Sequence, residues 1–171
     1  AWVHNSGDFK KNPGGLSFQV TPIMANNLLY YCTPFNRVFA IDPLTGEEIW
    51  VFDPHYKDDN TQPLIEGERL YGTCRGVSYW EEEQINENIA CQKRIFKGDG
   101  GGHLWSIDAD TGLLCKDFAA ETDHPGRVSN SDYASNGEGW IAMPSPVVVI
   151  GDVVVGARGS SDGIQNANDG F

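Results

Sequence analysis

A chain of 171 residues is long enough for one ordinary hydrophobic core, and its 24 Asp and Glu against 12 Lys and Arg leave a net charge of −12. That sign excludes a nucleic-acid phosphate backbone or an anionic membrane surface as partner and otherwise reads as solubility. No apolar stretch approaches the roughly 20 residues that span a bilayer, and Ala1-Trp2-Val3-His4-Asn5 has neither the basic nor the apolar region of a signal peptide, so any targeting or anchoring segment is expected outside this chain.

In chain order, short Val, Ile, Tyr and Phe runs alternate with turn clusters, the pattern of an all-β domain. Strands are expected at 16–22, 28–33, 38–41, 48–52, 76–80, 94–97, 103–107, 147–150 and 153–157. No run has the length and period of a helix of a dozen residues. The segments 53–62 and 81–90 read as excursions between strands, and 119–139, rich in Asp, Ser, Asn and Gly, reads as a longer loop of the kind that walls a ligand face.

Self-similarity carries more information than the strands themselves. Phe39-Ala40-Ile41-Asp42-Pro43-Leu44-Thr45-Gly46 returns as Trp105-Ser106-Ile107-Asp108-Ala109-Asp110-Thr111-Gly112, every position 66 residues on. An Asp side chain can accept from the amides of a tight turn, and Gly supplies a positive φ. Hairpin signatures around Asn26-Asn27 and Gly151-Asp152 complete each unit, so that a hairpin and the Asp-x-x-Thr-Gly segment after it make one four-stranded blade.

These repeats predict a β-propeller with tryptophan-docking-type repeats, of which about 2.5 blades are present, in units of about 16–54, 72–118 and 140–171, the last incomplete. A closed ring usually takes four to eight blades of roughly 40 to 50 residues. Trp50 is expected to stack between neighbouring blades; Cys115 and Lys116 stand where Ile49 and Trp50 stood, so the second unit packs differently.

Local chemistry is sparse. His4, His55, His103 and His124 are far apart and read as surface residues. Gly98-Asp99-Gly100-Gly101-Gly102 precedes a strand rather than a helix, so it reads as a hairpin turn and not a phosphate cradle. Cys32, Cys74, Cys91 and Cys115 are spaced 42, 17 and 24 apart. They fit no tight zinc spacing and leave open two disulfides, by any of three pairings, or four buried thiols. Arg75, beside Gly76 at the start of a strand, can present a guanidinium near a propeller axis to a ligand carboxylate or equally form a surface salt bridge.

Phe18-Gln19-Val20-Thr21-Pro22-Ile23, Leu29 to Pro34, Ala40 to Gly46, Trp50 to Pro54, Cys74-Arg75-Gly76-Val77-Ser78-Tyr79, Arg94-Ile95 and Val153 to Gly156 together resemble the pyrroloquinoline-quinone (PQQ)-dependent dehydrogenases, nearest the membrane-bound glucose, quinate and polyol branch. The resemblance covers nearly the whole chain and corresponds to the early part of an eight-bladed catalytic domain. It implies oxidation of a sugar, polyol or cyclic hydroxy acid, with PQQ and Ca²⁺ or Mg²⁺ as cofactors, a membrane quinone as electron acceptor, and a place on the periplasmic side of the bacterial inner membrane. In such enzymes the cation polarises the quinone and an aspartate base takes the alcohol proton as hydride passes to the cofactor.

By position, the resemblance implies cofactor binding by Gln19, Arg75, Gly76 and Trp80, and metal binding by Asp162. Trp80 stands where the glucose enzymes carry an active-site histidine, Gly163 replaces the Asn of an Asp-Asn pair, and Met143-Pro144 replaces a threonine-bearing stretch. The catalytic base is expected beyond Phe171, so no catalytic residue is assigned and the isolated fragment is expected to be inactive. The alternative is a non-catalytic propeller scaffold of the outer-membrane assembly type, which shares the Asp-x-x-Thr-Gly repeat but has no need of Arg75 or Asp162.

Overall fold

Asn26 and Asn27 reverse the chain with φ of 47° and 59°, the type I′ geometry that matches strand twist and that Asn tolerates. They join β1 (Ile23–Ala25) to β2 (Leu28–Cys32) in a computed structural model that describes residues 1–8, 18–55, 72–86, 88–129, 141–157 and 159–160. β3 (Val38–Ile41) and β4 (Glu48–Phe52) complete an antiparallel sheet in sequential order. β5 (Ser78–Glu81), β6 (Lys93–Gly98), β7 (His103–Asp108) and β8 (Arg127–Ser129) form a second sheet of the same order. A third unit begins with the hairpin β10 (Val148–Ile150) and β11 (Val153–Val155), and β9 (Ile141–Ala142) pairs with β12 (Gly159–Ser160).

The two repeated turns are built alike. Asp42 Oδ1 accepts from Leu44 N at 2.7 Å and Thr45 N at 3.0 Å, and Asp108 Oδ1 accepts from Asp110 N at 3.0 Å and Thr111 N at 2.9 Å. The Thr45 and Leu44 amides hold the Asp42 carboxyl below its usual range. Gly46 and Gly112 close the turns at φ of 78° and 77°, where an L side chain is strained.

The absence of a Cβ at these glycines also admits an indole ring. A Cβ on Gly112 would lie 2.8 Å from the Trp50 ring, and Trp50 Nε1 donates to Ala109 O at 3.0 Å. Trp2 repeats the arrangement one unit earlier, lying on Gly46 with its Nε1 donating to Pro43 O at 3.0 Å. Docking of each tryptophan onto the turn of the following blade fixes the blades face to face.

The core lies between blades rather than within one. Tyr30, Val38, Ala40, Trp50 and Phe52 of the first sheet pack against Val77, Ile95, Trp105 and Ile107 of the second. Phe96 and Leu104 on the opposite side of the second sheet pack against Met143 and Val147 of the third unit. The period-two alternation of a strand puts Ile95 toward one neighbour and Phe96 toward the other.

Several expectations are corrected. Of the strand expected at 16–22, residues 16 and 17 lie outside the described residues and 18–22 are not in a strand; pairing starts at Ile23, after Pro22, which has no amide to donate. β8 falls inside the stretch 119–139 expected as loop. The chain after Gly112 cannot run on as an outer strand. Cys115 is tied to Cys91, and Phe118 N turns back to Cys115 O at 3.0 Å. β8 therefore supplies the fourth strand, with the Arg127 guanidinium 5.3 Å from the Trp105 ring centre. The histidines are not all on the surface: His55 is buried, and His103 bonds Asp99.

Candidate functional site

The strands run antiparallel, so the turns at 33–37 and 99–102 sit at one end of the sheets and the two Asp-x-x-Thr-Gly turns at the other. The segment entering β5 starts at the first end, where Gly72 N donates to Pro34 O at 3.0 Å. There the entries to three successive units lie side by side. Thr21 N donates to Arg75 O at 2.9 Å, and Arg75 N donates to Pro144 O at 2.8 Å. Met143 N donates to Asp99 O at 2.8 Å and ties the third unit to the β6–β7 turn.

Gly76 explains how close these segments come. A Cβ there would lie 2.9 Å from Pro146 Cγ and 3.4 Å from Thr21 O, so a larger residue would push the inner strands apart. With its backbone clamped on both sides, Arg75 leaves its side chain exposed, and its guanidinium makes no ion pair among the described residues. Gln19, two residues before Thr21, is likewise exposed at this rim. The structure thus brings Gln19, Arg75 and Gly76 to one mouth.

Trp80 is elsewhere. It lies five residues along from Arg75, roughly 16 Å of extended chain, half-buried with the Arg94 guanidinium 5.5 Å from its ring centre. It packs with the Phe96 cluster and lines a crevice with Phe118, Val149 and Asp152. Asp162 lies outside the described residues.

Sequence reasoning missed a buried polar joint beneath the mouth. Lys97, wholly buried, donates through Nζ to Asn36 Oδ1 across the blade boundary at 2.9 Å and to Gly98 O at 2.8 Å. Burial depresses its pKa to about 8, partly offset by the charge of Asp99. Burial would raise Asp99, but the bond with His103, the Lys97 charge and the Trp105 indole, donating at 2.7 Å, hold it down to about 2. The available signal was alternation: Ile95 is a core position, so Lys97 must face the same way.

All four cysteines are paired. Cys32–Cys74 joins the end of β2 to the residue before Arg75, and Cys91–Cys115 closes the second blade at the far end, where Cys91 N donates to Asp108 Oδ2 at 2.6 Å. The chain-entropy model gives about 4 and about 3.5 kcal/mol for loops of these lengths.

The mouth offers an exposed cation on a backbone clamped by both neighbouring segments. That combination suits a planar ligand bearing carboxylates, such as PQQ: the guanidinium pairs with a carboxylate in a fork geometry.

The family model described as the PQQ glucose/ethanol/alcohol dehydrogenase β-propeller domain matches residues 1–170. The chain is 32% identical over 180 residues to quinoprotein glucose dehydrogenase A of Acinetobacter calcoaceticus, covering 97% of this chain and 21% of the relative. It is 39% identical over 125 residues to quinoprotein glucose dehydrogenase of Escherichia coli (strain K12), covering 70% and 15%. To the quinate/shikimate dehydrogenase (quinone) of Acinetobacter baylyi it is 28% identical, covering 92% and 20%. Among solved structures, the quinohemoprotein alcohol dehydrogenase from Comamonas testosteroni superposes with a TM-score of 0.57 at 19% identity, over 84% of this chain and 17% of that one, which shows the shared fold. The chain spans about a fifth of the length of the relatives it matches.

Proposed function

The chain belongs to the PQQ-dependent dehydrogenase β-propeller family, and on that premise we propose that it forms one wall of the cofactor site of a quinoprotein dehydrogenase oxidising a sugar, polyol or cyclic hydroxy acid. Arg75 carries this reading: an exposed guanidinium on a backbone clamped between Thr21 and Pro144 at the mouth of the ring. Arg75 binds a cofactor carboxylate, Gln19 hydrogen-bonds beside it, and Gly76 lets the inner strands close up so that both are held at the cofactor's edge. Trp80 enters as part of the neighbouring interblade crevice, and Asp162 as a ligand of Ca²⁺ or Mg²⁺. When bound, the quinone supplies the two-electron acceptor for the alcohol carbon. The base that takes the alcohol proton lies on a part of the ring outside these residues.

Electrons pass onward to a membrane quinone, which places the enzyme on the periplasmic side of the bacterial inner membrane. Relatives named as glucose, quinate/shikimate and glycerol dehydrogenases support this substrate range. The family match disfavours the scaffold alternative. The test is dye reduction by the full-length protein, reconstituted with PQQ and Ca²⁺, on glucose, glycerol and quinate in turn. Turnover on at least one is expected, and inactivity on sugars, polyols and hydroxy acids alike would refute the proposal.

A further inference from the structure

We propose that the Cys32–Cys74 disulfide is a positioning pair for Arg75, so that cofactor affinity depends on the redox state of this one bond. The inference rests on the proposed role of Arg75 and adds a device that acts through it.

The chain completes the first blade with β4, which ends at Phe52, and meets that blade again at Gly72, beside the β2–β3 turn that follows Cys32. Its return is fixed at three successive places. Gly72 bonds Pro34, Cys74 is covalently joined to Cys32, and Arg75 bonds Thr21 and Pro144 through its backbone. The disulfide is the one covalent tie between the first blade and the Arg75 segment among the described residues, and both cysteines are buried. It sits directly beside the residue whose side chain must point into the mouth. Opening it transfers two electrons and two protons to the two sulfurs. With dithiothreitol as reductant, the reagent leaves as its cyclic disulfide. Arg75 then keeps only its two backbone bonds, and its guanidinium samples more positions, which weakens a bidentate contact before it unfolds anything.

The joint does not depend on the disulfide for its integrity. Lys97 still bonds Asn36 across the same boundary, and Tyr30, Val77, Ile95 and Trp105 still pack there. The molecule also carries its own control. Cys91–Cys115 closes a loop of comparable entropic value at the opposite end, next to the Asp108 turn, where its loss cannot reach Arg75.

The experiment is an equilibrium titration of the full-length protein with PQQ in excess Ca²⁺, read by cofactor absorbance, with thermal unfolding measured on the same samples. C32A/C74A is expected to weaken PQQ binding about tenfold. C91A/C115A should lower the unfolding temperature comparably while leaving affinity within about twofold. In an Arg75→Gln background, removing Cys32–Cys74 should cost no further affinity, the non-additivity expected when one residue acts through another. Dithiothreitol reduction of folded C91A/C115A protein, with released thiols counted, reads the same affinity without a folding step. Unchanged affinity in C32A/C74A and in the reduced protein, alongside weakened binding by Arg75→Gln, would overturn the positioning role alone. Equal weakening from loss of either disulfide would also overturn it. Absence of saturable PQQ binding by the unaltered protein would overturn the cofactor reading, and this inference with it.

Discussion

The indole of Trp50 lies on Gly112 of the following blade and donates to Ala109 O at 3.0 Å, with no space left for a Cβ on the glycine. Two substitutions separate the parts of this contact. Gly112→Ala places a methyl 2.8 Å from the ring on a backbone at φ +77°, and should cost about 2–4 kcal/mol from crowding and left-handed strain together. Trp50→Phe keeps most of the area and removes one of the two donors to Ala109 O, the Tyr30 hydroxyl at 3.1 Å remaining, and should cost about 1 kcal/mol. Denaturant unfolding of the full-length protein measures both, and Gly112→Ala is expected to be the more damaging.

The two Asp-x-x-Thr-Gly turns look equivalent in sequence and are not equivalent in structure. Asp108 accepts from Asp110 N, Thr111 N and Thr111 Oγ1 and also, through Oδ2, from Cys91 N of the adjoining excursion, and it is buried. Asp42 accepts from Leu44 and Thr45 of its own turn at a more open site. Asp108→Ala strands more buried donors, so it should destabilise by about 2–4 kcal/mol, against about 1 kcal/mol for Asp42→Ala. Equal losses in chemical unfolding would contradict this.

Below the mouth, stability should depend on pH in two separate windows, rising with pH in each. Asp99 has a folded-state pKa of about 2 against an ordinary 3.8, so its contribution is full above pH 3.8 and is lost as pH falls through 2; it is on the order of 2 kcal/mol. Lys97 has a folded-state pKa of about 8 against 10.5, so between those values the unfolded chain holds more protons and stability rises with pH. Asp99→Asn should flatten the acid limb between pH 4 and 2 in guanidinium melts. It also leaves the buried Lys97 ammonium without its counter-charge, at a cost of about 3 kcal/mol near neutral pH.

Gly76→Ala tests the closeness of the inner strands. Its Cβ would meet Pro146 Cγ at 2.9 Å and Thr21 O at 3.4 Å, so the rim must open by several tenths of an ångström. A stability loss of about 1–3 kcal/mol is expected, with a measurable fall in PQQ affinity on top of it. An alanine variant as stable as the parent would show that the rim yields without cost and contradict this closeness.

What could be read in the sequence was what is local. Asn26-Asn27, Gly98 to Gly102 and the paired Asp-x-x-Thr-Gly turns announce themselves through residues a few positions apart, and the structure has a turn at each. Trp50 could be read because it stands four residues past the Gly46 turn, although the second copy has Lys116 there. β8 could not, because its place is decided by the Cys91–Cys115 bond and the turn at Phe118, contacts no local pattern records. The same holds for the cysteine pairing and for Lys97, whose partner Asn36 is 61 positions away. Of the candidate site, Gln19, Arg75 and Gly76 converge because their segments enter adjacent blades. Trp80 follows the strand away from the mouth, although its neighbour in sequence, Tyr79, faces the first blade and stacks with Tyr30 at 6.5 Å.

The most direct measurement is the dissociation constant of PQQ for the full-length protein and for its Arg75→Gln variant, in the presence of Ca²⁺, with unfolding temperatures taken without cofactor. The exposed, clamped guanidinium predicts saturable binding that weakens by about ten- to a hundredfold in the variant, the loss of one charge-assisted bidentate contact, at an unchanged unfolding temperature. No saturable binding, or equal affinity in the two proteins, would contradict the assignment of this mouth as the cofactor site.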